Sequence, residues 1–147
     1  MIVPDINLLL YAYVDVFPLH EPARRWWNGV VERGEEVGIP PPVLFGFIRI
    51  ATDRRIFAPP MDLRSATGIV EEWLSLPGIR MLRPGAQHVK IAFDLLRARA
   101  YSRDLTTDTQ IAAYAIENRA IVHTTDADFS SFPDVRYIDP LAENAAN

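Results

Sequence analysis

No cysteine occurs in the 147 residues. That excludes a disulfide framework, a thiolate metal site and a cysteine nucleophile, and nothing in the composition calls for an oxidising compartment. Lysine is nearly as scarce. Lys90 is the only one, set against fourteen arginines. Arginine grips phosphate bidentately where lysine acts as a point charge, although biased genomic base composition gives the same preference. A net charge of −4 excludes a protein that holds nucleic acid over a broad basic face, because phosphate neutralisation supplies most of the affinity of such proteins. It leaves room for an enzyme with an acidic cation pocket and local arginines. No apolar run reaches the roughly 18 residues of a membrane span. The apolar N-terminus, MIVPDINLLLYAY, lacks a basic leader and a small-residue cleavage site and has Asp5 within and Asp15 beside it, so we expect a cytoplasmic protein. Glycine-rich phosphate loops, Ser/His/Asp arrangements, zinc-type histidine spacing and internal repeats are all absent.

What is present suits one compact domain. Half the residues are apolar (49%) and only 23% are charged, which argues against disorder. We assign residues 1–140 to a single domain and 141–147 to a frayed tail. The pattern predicts short strands at 1–4, 37–39, 79–82, 120–123 and 135–138. Helices are expected at about 5–13, 20–35, 43–53, 62–75, 86–100 and 107–118, with Pro40, Pro41 and Pro42 delaying the third. Short apolar strands alternating with longer helices indicate an α/β fold, a three-layer sandwich with a central, mostly parallel sheet flanked by helices. Ligands of such sheets sit beyond the carboxyl ends of the strands.

Several acids fall at those ends. Asp5 follows the first strand, Asp108 opens a helix, and Asp126 and Asp128 lie in the turn after the fourth strand. Each has an ordinary explanation. Asp5 and Asp126 read as helix caps, each contributing about 1 kcal/mol. Asp108 sits in a capping-box pattern, Thr107 to Gln110, and gains about 0.3–1 kcal/mol from the helix dipole. Together they are harder to explain. Carboxylates ~4 Å apart repel by about 4 kcal/mol at an effective dielectric of ~20, more than capping returns. Protonation or a hard divalent cation relieves that repulsion, and oxygen donors without cysteine favour Mg²⁺, with Mn²⁺ as a substitute. The chemistry suited to such an ion is phosphodiester cleavage. Of the histidines, His123 ends a strand beside Thr124 and within reach of this edge, though a core or edge role is the commoner one; His20 and His88 sit at helix starts. The helix from Val43 is apolar nearly all round, and Trp26, Trp27 and Trp73 read either as core or as a face for a partner.

In order along the chain, PDINLLLYAY, H-E-x-A-x-x-W from His20, LFGFIRIAT from Leu44, TDTQIAAYAIENRA from Thr107 and TTDADFSSFPDVR from Thr124 resemble the PIN-domain ribonucleases, most closely the VapC toxins of bacterial toxin–antitoxin pairs. The resemblance spans nearly the whole chain. It implies a Mg²⁺-dependent endoribonuclease acting on structured RNA such as tRNA or rRNA, a homodimer, and inhibition by a cognate VapB-like antitoxin whose C-terminal segment fills the site. By position, Asp5, Asp108 and Asp126 become catalytic metal ligands and Asp128 a further ligand. Asn7 supports Asp5, Thr125 positions the metal shell or a water, and Asp104 is a candidate substitute acid. The departure is a missing glutamate. PIN domains usually carry one near the start of the third helix, where this chain has Phe45 and Gly46. A catalytically degenerate PIN domain that binds RNA or a protein is therefore the alternative. A phosphoryl-accepting receiver domain also gathers acids at strand ends, but would need a strand-end lysine, and Lys90 lies in a helix.

Overall fold

The computed structural model describes residues 1–98 and 106–142. Five three-residue strands, β1 (Ile2–Pro4), β2 (Val37–Ile39), β3 (Ile79–Met81), β4 (Ile121–His123) and β5 (Arg136–Ile138), form one sheet in the order β3-β2-β1-β4-β5. Every pairing is parallel. Parallel strands need crossovers, and the helices supply them: α1 (Ile6–Tyr13) and α2 (His20–Glu32) join β1 to β2, α3 (Pro41–Ala51) and α4 (Leu63–Ser75) join β2 to β3, and α5 (His88–Arg97) and α6 (Thr106–Glu117) lead from β3 to β4. Right-handed crossovers that run one way from β1 to β3 and back to β4 place α1–α4 on one face and α5–α6 on the other. The result is the expected three-layer α/β sandwich.

Val3, Val37, Ile39 and Val122 are wholly buried, as strands covered on both faces must be. On one side an aromatic cluster fills the core, with Tyr13, Phe47 and Trp27 all edge-on to Trp73. The Trp27 indole donates to the Tyr13 hydroxyl at 3.1 Å, and burial raises the Tyr13 phenol above its ordinary pKa. Trp27 and Trp73 are thus core residues, and Trp26 is half-buried.

Several local expectations are refined or corrected. The prolines do not delay α3: Pro41 and Pro42 occupy its first two positions, where the missing N–H groups would have had no helical partner anyway. Helix α6 begins at Thr106, so Thr107 lies inside the first turn and Gln110 donates back to the Thr106 carbonyl. The turn after β4 includes a one-turn 3₁₀ helix over Ala127–Ser131, with Asp126 as its cap. Helix α3 is not buried all round, since Phe45 is 68% exposed. Leu141, assigned to the tail, is buried; residues 143–147 lie outside the described part. No helix among the described residues is long and apolar enough to cross a membrane.

Candidate active site at the β1–β4 edge

The chain leaves β1 in one direction, toward β2 and β3, and returns on the opposite side as β4 and β5. A crevice therefore opens beyond the carboxyl ends of β1 and β4, the place where parallel sheets bind ligands. Register decides which residues meet there. Pro4 pairs with His123, and the Asp5 N–H extends the ladder to the His123 carbonyl at 2.9 Å, so the residues after the strands, Asp5 and Thr124, come side by side.

Asp5 is 3% exposed. One carboxylate oxygen accepts from the Ile6 N–H at 2.7 Å, which caps α1, and the other accepts from the Thr124 hydroxyl at 2.8 Å. Thr124 Oγ1 in turn accepts the Asp126 N–H at 2.9 Å. Asp126 Oδ1 accepts the Asp128 N–H at 2.8 Å. A single hydroxyl thus links the end of β1 to the acidic turn after β4. Burial is the main cause that raises the Asp5 carboxyl above its ordinary pKa; the Thr124 and Ile6 hydrogen bonds oppose it, and the Asp126 charge adds to it. A buried carboxylate with a second acid beside it is a position that a cation would stabilise.

A PIN domain profile matches residues 2–135. Ribonuclease VapC33 of Mycobacterium tuberculosis is 46% identical over 143 residues, covering 97% of this chain and all of that one. The chain belongs to the PIN-domain family, among the VapC ribonucleases. Solved structures share the fold: M. tuberculosis VapC20, described as a sarcin-ricin loop cleaving toxin, has a TM-score of 0.67 at 22% identity and covers 92% of this chain and 99% of its own. VapBC2 of Rickettsia felis, solved on a DNA fragment from its promoter, has a TM-score of 0.65 at 15% identity and covers 94% and 98%.

In this PIN domain the remaining expected residues are placed as follows. Asp108 is half-buried in the first turn of α6, a helix that packs on β4, α3 and α5. Asp128 is exposed. Asn7 is half-buried, and neither hydrogen bond of the Asp5 carboxylate comes from it. Asp104 lies outside the described residues. Thr125 is half-buried, and the hydroxyl that holds Asp5 belongs to its neighbour Thr124, a residue that sequence reasoning passed over. The parallel register was the signal that could have found it. Among the described residues no three His, Cys, Asp or Glu side chains come together closely enough to hold a metal ion. The donor set that does come together is oxygen only, carboxylates with a threonine hydroxyl, and this chemistry fits a hard divalent cation.

The histidines stay out of this set. His123 accepts from the Trp26 indole at 3.2 Å, the two rings lying tilted to one another at 5.7 Å, and burial lowers its pKa to about 4, so the ring is neutral at pH 7. His20 Nδ1 donates to the Tyr11 carbonyl at 2.8 Å. His88 pairs with Glu117 at 3.0 Å between α5 and α6. At the position of the family's usual glutamate, Gly46 packs on the helix that Asp5 caps: a Cβ there would lie 2.4 Å from Ile6 Cδ1. The neighbouring Phe45 points to solvent.

Proposed function

We propose that this protein is a Mg²⁺-dependent endoribonuclease of the VapC type, cutting structured RNA such as tRNA or rRNA in the cytoplasm until a VapB-like antitoxin neutralises it. The observation that carries the reading is the buried Asp5 carboxylate, fixed by Thr124 at the crevice between β1 and β4 and raised in pKa with Asp126 beside it. Asp5, Asp108 and Asp126 are the residues that would hold the cation, with Asp128 behind Asp126 and Mn²⁺ able to replace Mg²⁺. A bound divalent ion supplies Lewis acidity and charge neutralisation to phosphodiester hydrolysis.

The protein's own groups do the rest. Thr124 donates to one Asp5 oxygen while the Ile6 N–H donates to the other, and together they fix the orientation of the carboxylate. The N-terminus of α1 stabilises the Asp5 anion against the cost of burial. The Asx turn from Asp126 to Asp128 keeps Asp126 facing the same edge. His123 is held neutral against Trp26 and is not a proton donor at pH 7. Structures of VapBC complexes among the fold neighbours support an antitoxin partner, and a homodimer accords with the commonest oligomeric symmetry.

The test is incubation of the purified protein with total tRNA and rRNA in Mg²⁺, in Mn²⁺ and in EDTA, with new 5′ ends mapped and Asp5→Asn and Asp108→Asn run alongside. Discrete metal-dependent cuts that vanish in both variants are expected, and full activity in both would sink the proposal. A second reading, a PIN domain that binds RNA or a protein without cutting, is favoured by Gly46 in place of the usual glutamate. RNA binding in Mg²⁺ with no cleavage products from any preparation would establish it.

A further inference from the structure

A cavity of about 640 Å³ lies away from the acidic edge, at the C-terminal ends of α1 and α3 and the start of α2. Its volume is that of a small-ligand site. Its walls are of three chemical kinds. Pro59 and Pro60 give apolar surfaces over Phe57, which is buried and held edge-on by Phe17 at 5.7 Å. His20, whose Nδ1 is committed to the Tyr11 carbonyl, and Asp15 give hydrogen-bonding atoms. Arg24 gives an exposed guanidinium. Arg24 makes no ion pair among the described residues, and neither do Arg54, on the α3–α4 connection, and Arg64, in the first turn of α4.

We propose that this cavity receives one unstacked base of the RNA, with Arg24 on its phosphate. This rests on the reading of the protein as an RNA-acting domain, and it names how that RNA is recognised away from the scissile bond. Single-stranded RNA is bound by splaying bases onto aromatic and apolar surfaces and hydrogen-bonding their edges. The charge layout fits a nucleotide better than a bare anion or an apolar side chain. Asp15 repels phosphate but accepts from the exocyclic amino groups of A, C or G, while Arg24 pairs with the phosphate. In a chain of net charge −4, arginines left without acidic partners beside such a cavity supply the local positive field that the overall composition lacks. The cavity wall at Tyr13 is one length of α1 from Asp5. Eight residues at ~1.5 Å each give about 12 Å, a span of three to four stacked nucleotides at ~3.4 Å.

The test is equilibrium binding of a pool of single-stranded RNA decamers in EDTA, so that the result does not depend on cleavage. The full chain is compared with Val89→Ala, Arg24→Ala and Val16→Trp, the last filling the cavity from an exposed position, and folding is checked by circular dichroism. Inorganic phosphate and the four nucleoside monophosphates serve as competitors. Arg24→Ala and Val16→Trp should each weaken binding at least tenfold, Val89→Ala on the exposed face of α5 should bind like the parent, and monophosphates of A, C or G should compete at lower concentrations than UMP or phosphate. RNA binding indifferent to both cavity variants overturns the inference even if the parent cleaves RNA. Phosphate competing as well as the monophosphates overturns it in favour of a plain anion site. Binding lost in both cavity variants, in a protein that never cuts, upholds the cavity while the nuclease reading falls.

Discussion

Thr124 carries a structural role that none of the four acids carries alone, because its hydroxyl donates to Asp5 and accepts from the Asp126 backbone. Thr124→Val keeps the shape and leaves both partners without it. An unsatisfied buried group costs about 1–3 kcal/mol, so urea unfolding should show a loss of that size, with RNA cutting falling as well. Unchanged stability would mean that water replaces the hydroxyl. His123 makes a pH-dependent contribution of defined sign. Its folded pKa of about 4 lies below the ordinary 6.5, so between these values the unfolded chain takes up a proton that the folded chain does not. Its contribution is therefore intact above pH 6.5 and is lost as pH falls toward 4, by on the order of 3 kcal/mol. Asp5, raised by burial, works in the opposite sense. Denaturant midpoints from pH 7 to pH 4 should fall less steeply in His123→Gln than in the parent.

Among the elements, the contact between α1 and α3 is set by a glycine. A Cβ at Gly46 would press on the end of Ile6, and overpacking costs about 1–3 kcal/mol, against a gain of up to ~1 kcal/mol in helix propensity. Gly46→Ala should destabilise the parent but stabilise an Ile6→Val background, which lacks the obstructing methyl. A double-mutant cycle by urea denaturation reads this coupling, and additive effects would refute it. On the opposite face, Glu117 receives both His88 and the Gly85 N–H and so ties the start of α5 to the end of α6. Glu117→Ala should cost about 2–4 kcal/mol, and Glu117→Gln distinctly less because it can still accept.

At the scale of the whole molecule, the site is where the direction of strand succession reverses, so its acids come from segments more than a hundred residues apart. If Asp5 and its neighbours hold a divalent ion, Mg²⁺ raises the melting temperature by mass action on the folded state. The expected outcome is a Mg²⁺-dependent rise in the parent that is absent in Asp5→Asn. An equal rise in both would place the ion elsewhere.

The order of strands and helices was legible from periodicity alone, because short apolar runs and amphipathic segments differ in period and length. The family was legible by resemblance of motifs, because PDINLLLYAY and TTDADF stand in the family's order at the two ends of the chain. Asp5 and Asp126 were legible as acids at strand ends. The residue that joins them was not, because Thr124 becomes a partner of Asp5 only through the parallel register of β1 and β4, an interaction across 119 positions. The same holds for His123, whose neutrality comes from burial against Trp26, and for Gly46, which reads in sequence as a lost glutamate and in the fold as the contact that lets α3 approach α1. Local chemistry specified the elements and the kinds of donor they carry. Which donors meet, which are desolvated and which face a cavity depended on the tertiary structure, because register, burial and close approach arise only when distant segments pack.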